Sequence, residues 1–122
     1  MTQNEAVLAE PSVSAFTPLL SDEEVAELLV MTLAWVRSHA SEIPGFEPLG
    51  IYYRFHRKPI ERWLGSLDRL LKADQVAALL KVPTSWVYAN ADEIPGVLRL
   101  GRYVRFRPAA IKLFLGGSEA CQ

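Results

Sequence analysis

Moving this chain 51 residues along itself lays it on its own second half without a gap. Residues 19–65 and 70–116 then match at 21 of 47 positions, where typical residue frequencies would give about three. The matches cluster. They are Leu19-Leu20 with Leu70-Leu71, Val25-Ala26-x-Leu28-Leu29 with Val76-Ala77-x-Leu79-Leu80, and Trp35-Val36 with Trp86-Val87. Further on, Glu42-Ile43-Pro44-Gly45 matches 93–96, Leu49-Gly50-x-Tyr52-x-Arg54-Phe55 matches 100–106, and Ile60 and Leu64-Gly65 match Ile111 and Leu115-Gly116. Solenoid repeats run with periods of roughly 20 to 50 residues and need about three copies to bury a core. Two copies imply instead two small domains in tandem. The expected division is a flexible lead-in over 1–18, units over 19–65 and 70–116, and a tail over 117–122. With half of its 122 residues apolar, the chain can fill two small cores.

Within one unit the residues dictate a sequence of elements. Ser21-Asp22-Glu23-Glu24 is a capping box, in which serine and glutamate each satisfy a backbone N–H of the other. Val25, Leu28 and Leu29 follow at i, i+3 and i+4, giving a short amphipathic helix over 22–29. In the second copy Lys72 and Gln75 make a weaker start. Thr32 and Pro83 then begin second helices over about 33–40 and 84–91. Two helices joined by a turn of about three residues form a helix-turn-helix. The period next switches to two. Segments 46–49 and 52–56, and 97–100 and 103–107, flank Gly50-Ile51 and Gly101-Arg102, the glycine-first pattern of a two-residue hairpin. Val104 and Phe106 point one way, Tyr103, Arg105 and Arg107 the other. Short apolar helices over 59–64 and 109–115 close the units. The expected class is mainly α with small β-hairpins (α+β): two tandem winged helix-turn-helix domains.

Leu-Leu-x-x-x-x-Val-Ala-x-Leu-Leu (70–80), Val-Pro-Thr-Ser-Trp-Val-Tyr (82–88) and Ile-Pro-Gly-x-x-x-Leu-Gly-Arg-Tyr-Val-Arg-Phe (94–106) together resemble the excisionase family of MerR-like winged helix-turn-helix domains. The likeness covers nearly all of 70–116 and, more loosely, 19–65. It implies DNA binding, with the second helix in the major groove and the hairpin on the adjacent minor groove. It further implies a recombination directionality factor or a small transcriptional regulator. The first copy departs from the pattern: Met31 and Leu33-Ala34 replace the polar helix start, and Pro48 and Ile51 stand where the second copy has Arg99 and Arg102.

The whole-chain net charge of −1 carries no nucleic-acid signal, but its distribution does. Residues 19–65 hold five Lys/Arg against seven Asp/Glu, whereas 66–122 hold eight against five. Four of those eight, Arg99, Arg102, Arg105 and Arg107, lie within nine residues, a local basic stripe. The DNA-contacting candidates in the second copy are Pro83, Thr84, Ser85, Tyr88 and Asn90 on the helix and Arg99, Arg102, Tyr103, Arg105 and Arg107 on the hairpin. Those in the first copy are Thr32, Arg37, Ser38, Tyr52, Arg54, His56 and Arg57. Arg102, on a glycine-tipped hairpin, suits a narrow minor groove. Arg54 and Arg105 are also placed to pair with an acid from a neighbouring helix, and Asn90 to cap its own. Trp35 and Trp86, beside Val36 and Val87, read as core.

One cysteine and two histidines leave no expected disulfide, metal centre or cofactor. With no signal peptide or long apolar run, a cytoplasmic location without a membrane partner is expected. No nucleophile–base set, paired carboxylates or phosphate loop points to an enzyme. The leading expectation is a sequence-specific DNA-binding protein that reads direct repeats, with double-stranded DNA as partner and an integrase/recombinase or further copies of itself beside it. Two rivals stand: a protein-interaction module docking a partner through its acidic first unit, and a phage DNA-packaging component.

Overall fold

A computed structural model describes the backbone of residues 16–120 and the side chains of 16–116. Cys121 and most of the expected lead-in lie outside the described residues. The first half runs β1 (Leu20–Ser21), α1 (Asp22–Leu29), α2 (Leu33–Ser38), a 3-10 turn (Ala40–Glu42), β2 (Phe46–Leu49), β3 (Tyr52–Phe55) and α3 (Arg57–Leu64). The second repeats the order: β4 (Leu71–Lys72), α4 (Ala73–Leu80), α5 (Thr84–Ala89), a 3-10 turn (Ala91–Glu93), β5 (Val97–Leu100), β6 (Tyr103–Phe106) and α6 (Pro108–Ala120). The architecture is mixed α+β, with two three-stranded antiparallel sheets ordered β1-β3-β2 and β4-β6-β5.

Local chemistry accounts for most boundaries. Ser21 Oγ accepts from the Glu24 N–H at 3.1 Å, and Glu24 Oε1 accepts from the Ser21 N–H at 2.8 Å. In the second half only the reciprocal part survives, Gln75 Oε1 accepting from the Lys72 N–H, because a lysine side chain has no acceptor. The second helices end earlier than expected. His39 and Asn90 leave helical geometry, and Asn90 Nδ2 turns back to donate to the Trp86 carbonyl. The third helices begin two residues and one residue before the expected starts, and α6 continues to Ala120 where a tail was expected. Both hairpins have two-residue loops, with Gly50 at φ +63° and Gly101 at φ +64°, a conformation that favours glycine. The sequence reading missed the third strands. Leu20 pairs with Phe55 and Leu71 with Phe106, so each capped helix enters from a sheet edge.

The shared apolar residues are the core. Val25, Val36, Ala40, Ile43, Phe55 and Ile60 are buried in one half, and Val76, Val87, Ala91, Ile94, Phe106 and Ile111 in the other. Each large side chain among them contributes about 1.5–3 kcal/mol of transfer free energy.

The halves also pack on each other, front to back. Leu70, Leu98 and Leu100 of the second half join the apolar cluster of the first, along with Leu67 from the connection. Arg105 reaches the C-terminus of α1: its Nε donates to the Leu29 carbonyl at 3.1 Å and its Nη2 to the Val30 carbonyl at 2.6 Å. Arg107 Nε donates to the Trp63 carbonyl near the end of α3, at 2.8 Å. Terminal carbonyls lack intrahelical donors and carry the negative end of the helix dipole, so guanidinium groups suit them. The contact is not reciprocal: the equivalent Arg54 bonds its own Tyr53 carbonyl. Among the described residues no helix is long and apolar enough to cross a membrane.

Candidate nucleic-acid interface

The second half exposes polar and aromatic side chains on α5 and at the tip of the β5–β6 hairpin. Val87 faces inward and fixes the helix rotation, leaving Ser85 and Tyr88 outward, Tyr88 at 59% exposure. Thr84 is half-buried and Pro83 exposed at the helix start. Arg102, at the hairpin tip, makes no ion pair among the described residues. Its guanidinium lies 5.4 Å from the centre of the Tyr103 ring. Arg99 donates through Nε and Nη2 to Asp92 Oδ1 at 3.1 and 2.9 Å. That pair is exposed on both sides, so it contributes little and can exchange for another anion.

Two of the expected DNA-contacting arginines have their guanidinium groups engaged within the molecule. Arg105 is 9% exposed, and its donors go to the Leu29, Val30 and Val104 carbonyls. Burial pushes its pKa down, with Tyr88 and Tyr103 opposing, yet an arginine stays charged at any working pH. Arg107 is spent on the Trp63 and Val97 carbonyls. Both hold the halves together. The strand alternation expected for Tyr103, Arg105 and Arg107 therefore turns two arginines toward the neighbouring half rather than toward solvent. Asn90 takes the capping alternative, and Trp86, expected in the core, is 44% exposed.

In the first half the matching surface is neutralised. Asp22, at the head of α1, accepts from Arg37 Nε at 2.9 Å and lies 4.0 Å from Arg54 Nη1. The second half has Ala73 at the matching position. Thr32 Oγ1 accepts from the Trp35 N–H, capping α2, and Ser38 Oγ donates to the Trp35 carbonyl. His56 Nε2 lies 3.0 Å from Glu47 Oε1, and Arg57 Nε donates to the Pro18 carbonyl. Tyr52 remains exposed under Arg54, 5.2 Å from guanidinium to ring centre. The second hairpin sits against α2: Trp35, His39 and Trp63 face Arg99, Leu100 and Gly101 across a cleft of about 300 Å³. The role of Asp22 was missed because an acid in the first turn of a capped helix already had an explanation. The available signal was the loss of this acid in the second copy, where Ala73 stands within a four-residue stretch (21–24 against 72–75) that differs at every position.

No protein-family model, curated protein or solved structure matches the chain.

Proposed function

We propose that the chain is a sequence-specific binder of double-stranded DNA. It is built from two tandem winged helix-turn-helix units, and the second unit carries most of the binding. The supporting observation is the pairing of an outward α5 with a hairpin whose tip carries Arg102, an arginine with no ion-pair partner among the described residues. A tight helix-turn-helix offers its second helix to a major groove, Ser85 and Tyr88 can meet base edges or phosphates, and Arg102 suits the adjoining minor groove. Its role is non-enzymatic, as an excisionase-like recombination accessory or a small transcriptional regulator. Titration of labelled random duplex at several salt concentrations tests this. Saturable binding is expected, and Arg102→Ala should weaken it and reduce the salt slope by about 0.9 for each phosphate the arginine neutralises. No binding at low salt would overturn the reading.

A second reading, protein docking by the first unit, is favoured by the Asp22 cluster and by apolar Leu49 and Ile51 exposed on the first hairpin.

A further inference from the structure

Identical residues of the two halves differ in burial, and the differences run in opposite senses at the two ends of the molecule. On the front, Leu100 is 4% exposed against α2 of the first half, whereas its equivalent Leu49 is 47% exposed. On the back, Leu64 is fully buried and its equivalent Leu115 is 41% exposed. Trp35 packs against the first cluster under the second hairpin, while Trp86 stands outside its own cluster. The polar partners follow the same rule. Arg105 has the Leu29 and Val30 carbonyls; Arg54 has acceptors only at Nη1 among the described residues. No donor reaches the matching Leu80 and Lys81 carbonyls of α4 among those residues. Among the described residues, the one interface used inside the chain thus leaves its two complementary faces uncovered, one at each end.

We propose that a second copy of this chain fills them: the front of its first half (Leu49, Tyr52, Arg54) docks on the back of the second half (Trp86, Phe114, the α4 C-terminus). The contact repeats the one that joins the halves. A front-to-back interface of this kind is heterologous, so it adds copies in an open series instead of closing into a symmetric dimer. Charge favours it, because the first half is net acidic and the rest of the chain net basic. The front is not a perfect copy. Glu47 and His56 replace Leu98 and Arg107, and the internal contact also gains from covalent linkage, so association between chains is the weaker of the two. The inference stands whether or not the chain binds DNA.

Sedimentation of the DNA-free full chain tests it. The mass should rise with concentration from that of the 13.6 kDa chain without levelling at a dimer. Leu49→Asp blocks the front and Trp86→Glu the back, so each variant alone should remain monomeric. An equimolar mixture should form a one-to-one pair and stop, since one intact front then meets one intact back. Should either variant lose its circular-dichroism melting transition, Arg54→Glu and Phe114→Glu are the substitutes on the same faces. A wild-type chain that stays monomeric into the millimolar range would overturn the proposal. So would a single variant that still self-associates, or a mixture that does not pair.

Discussion

Arg54 and Arg105 occupy the same place in their halves, follow the same tyrosine at i−2 and precede the same phenylalanine. What they do differs with what stands opposite. Arg105 meets helix-end carbonyls in a buried setting, and removing it would leave the Leu29 and Val30 carbonyls without their donor. Arg105→Ala should therefore cost about 1.5–3 kcal/mol of stability, the range for hydrogen bonds to a charged group, read as a lowered urea midpoint. Arg105→Lys should recover little, since an ammonium cannot span both carbonyls as the planar fork does. Arg102→Ala, at the exposed tip, should leave the midpoint unchanged. Equal destabilisation by the two would contradict the division of roles. Asp22 supplies the reverse case. On the proposed reading, Asp22→Asn frees Arg37 and Arg54 for phosphate, so duplex affinity and its salt slope should both rise. The start of α1 should weaken by about 0.3–1 kcal/mol as the acid's interaction with the helix dipole disappears. Unchanged affinity would mean that the first half does not touch DNA, and would favour docking. Arg54 lies beside an acid of the neighbouring helix, as its sequence position allowed, but the helix-end carbonyls that hold Arg105 were not legible, because strand alternation says which face a side chain takes and not what lies against that face.

At the scale of elements, the duplicated pattern was far more informative. Positions kept in both copies for packing (Val36 and Val87, Ile43 and Ile94, Phe55 and Phe106) are buried in the structure, and the switch from helical to alternating period marked the hairpins. The two-residue strands β1 and β4 were not legible. Their Leu-Ser and Leu-Lys pairs carry no alternation of their own and become strands only because β3 and β6 offer free edges. Trp86 escaped for a related reason. Trp35, in the same sequence context, has a neighbouring half to cover it, whereas nothing among the described residues covers Trp86 to the same degree. The α5 prediction belongs to this scale. With Val87 turned to the core and Ser85 and Tyr88 turned out, alanine at 85 and 88 should leave the fold and non-specific binding nearly intact. It should relax sequence preference by about 1–3 kcal/mol for each base edge these side chains read. Competition between selected and random duplex measures this. A uniform weakening on every sequence would assign these residues to phosphate.

The front-to-back packing of the halves governs how the whole molecule can meet a duplex. Symmetric helix-turn-helix dimers are related by a two-fold axis, which matches inverted half-sites about one helical turn apart. Here no two-fold relates the halves: Arg105 grips the end of α1, whereas Arg54 does not grip the end of α4. The connection between Gly65 and Leu70 holds four residues, Ser66 to Arg69, reaching about 14 Å when extended. Leu67 and Leu70 at that connection are packed into the first cluster. The halves are thereby held without a two-fold axis between them, and inverting one would break the arginine caps and expose Leu100. On the proposed reading, the preferred site is a direct repeat with fixed spacing near one turn, ~10 bp, which keeps both second helices on one face of the duplex. The two elements should contribute unequally, because Asp22 neutralises the first surface. Selection from random DNA should then return a strong element and a weaker one in the same orientation, and moving them apart by half a turn should cost the weaker element's entire contribution. Inverted repeats would require the halves to separate and reorient, which would contradict their packing. A lone element would leave the first half with no DNA to read and turn it toward protein.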